Sequence, residues 1–361
     1  MDNYQPLNKI YIHKTTLIEN YQSLANHNAG IKIAPVLKSN AYGHGITQIA
    51  QIIDQLNPPL ICVDSLPEAN ILRRIGIKSE ILIMGAVATE SLNKKVSFHF
   101  TVINKEMLNV LLRFQKNAKL HLFIDTGMNR EGIKMDELEN IVAIIKEGNV
   151  ELVGIMTHLS LADDKHHPLT KKQIETFQKA KKIILKAGLH PKWFHIGGSD
   201  ALEWISPNIV NMVRTGRLLF GVQSNKLNDI NPVLELESTI VQIKQIKKGE
   251  SIGYSATYTA QKDTTIALLP IGYNDGVDRR LSNKGSVLIN GEACPIIGLI
   301  SMNMTVIDIS NMKANIGQKV TIFSAHATDK NSIENSAKKI KTIPSDLLVG
   351  LHPSTRREII E

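Results

Sequence analysis

Short apolar runs alternate with amphipathic stretches through the first two-thirds of the chain. The runs are IKIAPVL (31–37), LICVD (60–64), EILIMG (80–85), FHFTVI (98–103), KLHLFID (119–125), ELVGIMTH (151–158), KWFHIGG (192–198) and NIVNMVR (208–214). Continuous apolar runs of this length are the signature of strands buried on both faces. Between them, segments such as LPEANILRRIG and KMDELENIVAIIKEG carry helical periodicity, and each stops at a glycine. Strand–helix repeats that count to eight predict an α/β fold, a (β/α)8 TIM barrel. The competing arrangement is an open doubly wound sheet, but no GxGxxG follows the first run.

The pattern changes near residue 232. PVLELESTIVQIKQIKKGESIGY, TTIALLPIGY, GSVLINGEACPIIG, MTVIDIS and QKVTIFS are short β-branched runs punctuated by Gly, Asn and Asp. The Asn-Gly in LINGEACP marks a hairpin. Residues 232–361 therefore read as a mostly-β domain with a late helix near SIENSAKKI, following a barrel over residues 1–231. The first few residues are free to pair with the second domain. There is no internal repeat and no low-complexity tract.

Composition narrows the classes. The 361 residues are 43% hydrophobic and 21% charged, enough for a sizeable core. The net charge of +8 is scattered. Its densest group, Lys171, Lys172, Lys179, Lys181, Lys182 and Lys186, reads as a solvated helix face rather than a nucleic-acid footprint. Cys62 and Cys294 are the only cysteines and lie far apart, which fits a reducing compartment. The start, MDNYQPLNKI, shows no signal-peptide pattern, and no stretch approaches the ~18 apolar residues of a membrane span. A cytoplasmic enzyme with no membrane or nucleic-acid partner is expected.

Candidate chemistry collects where the runs end, the place where a barrel keeps its active site. Lys38 closes the first run, Asp125 and Arg130 follow the fifth, and His158 closes the sixth. His195, Ser199 and the Gly197–Gly198 pair belong to the seventh, and Arg214 and Gly216 to the eighth. A single strand-end lysine or histidine is ordinarily structural; their recurrence at one end of the barrel carries the weight. A lysine walled by an apolar strand and positive neighbours is expected to shed its proton easily, since desolvation and like charge disfavour ammonium. A neutral amine forms Schiff bases. Gly-Gly-Ser and Thr-Gly offer backbone N–H groups to a phosphate. An amine, a phosphate site and Arg214 together point to pyridoxal phosphate. Asp163, Asp164, His166 and His167 match no metal spacing and read as a solvated loop, so no metal is expected.

VLKSNAYGHG resembles the cofactor-lysine motif of bacterial alanine racemases, which are pyridoxal-phosphate enzymes of fold type III. The likeness continues in order through IDTGMNREG, GIMTHLSLADD, FHIGGSDA, MVRTGRLLFG, ESIGYSATYTA, LPIGYNDG and IIGLISMNMT, across both halves of the chain. The resemblance implies a racemase of small amino acids, working as a homodimer with active sites shared across the interface and supplying D-alanine for peptidoglycan. It implies that Lys38 holds pyridoxal 5′-phosphate as an aldimine and serves as one catalytic base. Tyr254, reaching in from the partner subunit, would be the opposite base. Arg214 would face the pyridine nitrogen; a guanidinium keeps its proton, so the ring stays neutral and racemisation is favoured over transamination. Tyr42, Ser199, Gly216 and the backbone at Arg217 would hold the phosphate, and Arg130 would lie near the substrate carboxylate. His158 would support Arg214, and His195 would tune Tyr254. Tyr273 and Met302 would line the substrate side from the partner, with Asn303 near the substrate entrance.

Three positions depart from the family pattern. Phe123 stands where many members carry a carbamylated lysine that orients the arginine equivalent to Arg130, so that arginine must be positioned otherwise. Glu358 falls about where a phosphate-touching tyrosine is common, and must point away from a phosphate or lie elsewhere. Asn303 replaces a common aspartate, which motivates racemisation of serine or a broader set of amino acids as an alternative. A fold-related decarboxylase is a further alternative, opposed by Arg214, because such enzymes place a carboxylate at the ring nitrogen. A single-barrel cofactor carrier would leave the β domain without a role.

Overall fold

The computed structural model describes residues 5–148, 150–222 and 229–361. After a first strand, β1 (Lys9–His13), the chain lays down eight parallel strands. They are β2 (Lys32–Pro35), β3 (Ile61–Val63), β4 (Ile81–Ile83), β5 (His99–Val102), β6 (Lys119–Phe123), β7 (Glu151–His158), β8 (Trp193–Gly197) and β9 (Met212–Thr215). Neighbours in the sheet follow chain order from β3 to β9, and β9 pairs with β2. The ring closes between β2 and β3, where the Leu37 N–H donates to Cys62 O at 2.8 Å. This is the predicted TIM barrel, followed by a mostly-β domain.

The strands read as unbroken apolar runs because both faces are buried. Ile33, Ile61, Ile81, Leu122, Ile155 and Val213 face the surrounding helices, in one core with Leu17, Ile49, Leu72, Leu108, Ile141 and Phe177. Their strand neighbours Ala34, Cys62, Leu82, Phe123, Met156 and Met212 pack together as a second cluster. Alternation along a strand thus separates two apolar layers instead of apolar from polar. The lysine-rich helix Pro168–Lys186 buries Thr170, Gln173, Phe177, Ala180 and Ile184 at helical spacing and leaves Lys171, Lys172, Lys179, Lys182 and Lys186 in solvent. Asp164 Oδ1 accepts from the backbone N–H groups of His166 and His167, so that loop serves to start this helix.

The second region comprises β10 (Leu234–Thr239), β11 (Gln242–Ile246), β12 (Ser251–Ile252), β13 (Tyr258–Thr259), β14 (Thr264–Leu269), β15 (Ser286–Ile289), β16 (Glu292–Pro295), β17 (Thr305–Asp308), β18 (Lys319–Phe323) and β19 (Arg356–Ile360). Its largest sheet runs β16-β15-β18-β10-β1-β19. The predicted Asn-Gly hairpin joins β15 to β16. β1 lies inside this sheet, antiparallel to β10 and parallel to β19. The late helix spans Ile333–Lys339, capped by Ser332. A second short helix, Pro344–Val349, has too few residues to show a period in sequence. Among the described residues, no helix is long and apolar enough to cross a membrane.

Candidate active site

Strand β2 ends at Pro35, and Val36 forms one further bridge before Lys38. The next four residues, Ser39, Asn40, Ala41 and Tyr42, all take φ between +51° and +55°. Such a left-handed turn of non-glycine residues costs roughly 1–2 kcal/mol per residue and must be held from outside. Asn40 Oδ1 accepts from Ile46 N at 2.8 Å, and the Ser39 N–H donates to Glu68 Oε1 at 2.7 Å. The buried His44 ring donates from Nδ1 to Ala41 O and Tyr42 O, and stacks on Phe220 at 4.1 Å. Arg357, from β19, donates to Gly43 O from Nε and Nη2.

This turn opens onto a cavity of about 1040 Å³ at the C-terminal ends of the barrel strands. Lys38, Tyr42, Arg130, His158, Ser199, Arg214, Gly216 and Arg217 all line it. Gly216 allows the close approach of Tyr42, whose Oη would sit 2.6 Å from a Cβ there. Gly197 does the same for His158 and Arg214. Burial raises the Tyr42 phenol above its ordinary value, against the pull of Arg217, so it stays a hydrogen-bond donor. Burial, helped by Arg214, brings His158 down to about 4, so its ring is neutral near pH 7. Arg214 is fully buried and drops to about 10 through desolvation, which leaves it a cation at neutral pH. Its Nη2 donates to Thr157 O at 2.7 Å.

Five acidic residues also line the cavity: Asp64, Glu131, Asp200 and Glu203, which sequence reasoning missed, and Asp163, which it read as part of a solvated loop. Asp64 Oδ1 lies 3.5 Å from Lys38 Nζ, so this lysine faces a carboxylate rather than the positive neighbours expected of it. Asp200 pairs with Arg217. Glu131 grips Arg130 at two points, Nε and Nη2. The ion pair pushes the Glu131 carboxyl down and the Arg130 guanidinium up. Glu131 thus holds Arg130, which Phe123, another residue lining the same cavity, has no charge to do. Its signal in sequence is the adjacency Asn-Arg-Glu-Gly, whose geometry only the folded loop reveals.

Two further expectations change. His195 does not approach Tyr254: it is fully buried, with Nδ1 on Arg214 Nη1 at 2.9 Å and Nε2 on His121 at 2.8 Å. The direct support of Arg214 therefore comes from His195, not His158. Glu358 points away from the cavity and pairs with Lys9 and Arg356. Tyr254, Tyr273, Met302 and Asn303 are all exposed on the β domain, outside this cavity, with Tyr254 70% accessible. The Tyr273 N–H donates to Ser301 O, which ties the loops carrying Tyr273 and Met302 together.

The sequence profile of the alanine racemase N-terminal domain matches residues 12–224, and that of the alanine racemase C-terminal domain matches residues 233–359. The chain belongs to the alanine racemase family. It is 31% identical to alanine racemase 2 of Caldanaerobacter subterraneus subsp. tengcongensis, covering 95% of this chain and 92% of that protein. It is 35% identical to alanine racemase of Fusobacterium nucleatum subsp. nucleatum, over 90% and 93% of the two chains. The solved structure of alanine racemase from Clostridium difficile 630 superposes with a TM-score of 0.90 at 27% identity, over 99% of this chain and 97% of that one.

Proposed function

We propose that this protein interconverts L- and D-alanine with pyridoxal 5′-phosphate, using Lys38 and the partner subunit's Tyr254 as its two bases. The observation that carries the reading is the single cavity that gathers Lys38, Arg214, Arg130 and an anion-sized cluster of donors. That cluster, Tyr42, Ser199, Gly216 and Arg217, fits a phosphate, and the tight approach at Gly216 leaves no room for a larger residue. Lys38 would hold the cofactor through its ε-amine and Arg214 would face the ring nitrogen. When bound, the cofactor supplies an electron-withdrawing system conjugated to the substrate amine, which acidifies the α-hydrogen.

The chain's own groups do the rest. Arg130, held by Glu131, presents its remaining N–H donors to the substrate carboxylate. Arg214 stays protonated, so a ring nitrogen facing it would receive a hydrogen bond and no proton. Lys38 Nζ takes or gives the α-proton on one face. Inversion needs a second base on the other face, and no tyrosine but Tyr42 lines this cavity among the described residues. Tyr254, 70% exposed and outside this cavity, would serve a second copy of the chain. A homodimer follows, its apolar edge covered by the neighbouring barrel. Two free, buried thiols and a D-amino-acid product fit a cytoplasmic enzyme that feeds peptidoglycan synthesis.

The test is optical rotation of L-alanine incubated with protein and pyridoxal 5′-phosphate. Decay to zero with equal enantiomers is expected; a flat trace overturns the reading. Asn303, exposed on the partner-facing loop, favours a broader racemase as a second reading, and the same assay on serine, lysine and arginine decides it.

A further inference from the structure

We propose that His195, His121 and His99 form a one-way hydrogen-bond relay through the barrel interior that positions Arg214 and ties it to Glu80 at the opposite mouth. His121 and His99 are thereby positioning residues for the site. This rests on the functional reading above only for its consequence; the relay itself stands on geometry.

Four contacts make the string. Arg214 Nη1 lies 2.9 Å from His195 Nδ1. His195 Nε2 lies 2.8 Å from His121 Nδ1, and His121 Nε2 lies 2.9 Å from His99 Nδ1. The last link is electrostatic: His99 Nε2 lies 3.5 Å from Glu80 Oε2 and makes no hydrogen bond among the described residues. Glu80 Oε1 is held by Lys119 Nζ at 2.7 Å. Arg214 comes from the end of β9 at the cavity; His99 and Lys119 open β5 and β6 at the far end.

The direction of every bond follows from the ends. A guanidinium only donates, so His195 Nδ1 accepts and its proton sits on Nε2. That N–H must donate to His121 Nδ1, which puts the His121 proton on Nε2. The same step puts the His99 proton on Nε2, facing a carboxylate that only accepts. A donor-only group at one end and an acceptor-only group at the other impose one tautomer on all three rings. A reversed ring would set two lone pairs or two N–H groups against each other in an apolar interior, at a cost of several kcal/mol. Burial keeps the rings neutral: His99 is brought down to about 4, and His121 and His195 lie well below the ordinary value.

The backbone makes room for this string. Gly154 of β7 is the register partner of His121, and a Cβ there would lie 2.4 Å from His121 Nδ1. The β6–β7 pairing shifts register between Leu120 and His121. A strand that skips a side chain and a pairing that slips at the same point let a ring on β6 reach one on β8. The consequence is that the guanidinium is aimed by a rigid chain of aligned dipoles, polarised toward Glu80.

The experiment uses protein labelled with nitrogen-15 histidine and requires no activity. At about pH 7, the ring resonances of His99, His121 and His195 should all report neutral Nε2–H tautomers. An Nδ1–H tautomer or an imidazolium at any of them overturns the relay. Glu80→Gln alters a half-exposed side chain at the far mouth and spares the fold. It should shift the ring nitrogens of all three histidines, least at His195; a shift confined to His99, or none, also overturns it. With that variant kcat for alanine should fall roughly threefold while KM stays unchanged. An unchanged kcat alongside intact tautomers removes the positioning role, and absent racemisation in the wild type points instead to failure of the functional reading.

Discussion

The barrel mouth and the loop edge of the β domain are built on opposite terms. At the mouth, Lys38, Arg214, His158 and Tyr42 converge on one cavity, and each cation there has an acceptor of its own chain. At the edge, Tyr254, Tyr273, Met302 and Met304 stand 41–70% exposed with no cavity of their own. The mouth is finished by the fold of a single chain; under the proposed reading the edge would become a wall only against a second molecule. On that reading preorganisation is spent where charge is handled, while the residue that sets stereochemistry would be delivered by assembly.

The strongest way to break this comparison is to disable each half separately. Lys38→Ala should lose at least roughly a thousandfold in racemisation, and Tyr254→Phe should be comparably impaired. Mixing the two inactive variants under exchanging conditions should restore about a quarter of wild-type activity. Half of the random dimers are mixed, and one of their two sites keeps both bases. No recovery would place both bases in one chain's site. A smaller effect sharpens the mouth alone. Glu131→Ala frees the Arg130 guanidinium, and KM for alanine should rise about tenfold with kcat little changed. An unchanged KM would remove Glu131 from its positioning role.

The last test concerns acid and reads stability rather than turnover. His44, His99, His121 and His195 are all buried and all held below their ordinary value by desolvation. Unfolded, each takes up a proton near pH 6.5, so the unfolded chain binds more protons than the folded one below that pH. Stability should therefore fall as pH drops from 6.5 toward 4, by about 2 kcal/mol per histidine at pH 5. All four sit in the barrel, so thermal melts between pH 7 and 5 should show the barrel losing stability before the β domain. A melting temperature flat over that range would contradict the buried neutral rings.

Much of this was legible in the sequence, for identifiable reasons. Strands buried on both faces leave unbroken apolar runs, so the eight-strand count and the strand-end positions of Lys38, His158 and Arg214 could be read directly. The Asn-Gly hairpin and the late helix near SIENSAKKI are local features and equally visible. Pairings across the barrel were not. Glu131, Asp200 and Asp64 are ordinary acidic residues until the loops fold over the mouth. The partners of His195 lie 19 and 74 residues away along the chain, which no spacing reveals. His195 was therefore given the wrong neighbour, since sequence shows which strand a histidine ends but not how far inside the barrel its ring lies.

The placement of β1 between β10 and β19 has a bearing on synthesis. Residues 9–13 precede every barrel strand, and their parallel partner, 356–360, follows every other strand of the β domain. Arg357 of β19 also fastens Gly43 O, at the end of the left-handed turn that begins at Lys38. A nascent chain can form its barrel helices and strands as they emerge, but it cannot lock the turn beside Lys38 until β19 has been made. That turn is thus secured only once β19 has docked, and removing residues 356–361 would leave it unfastened.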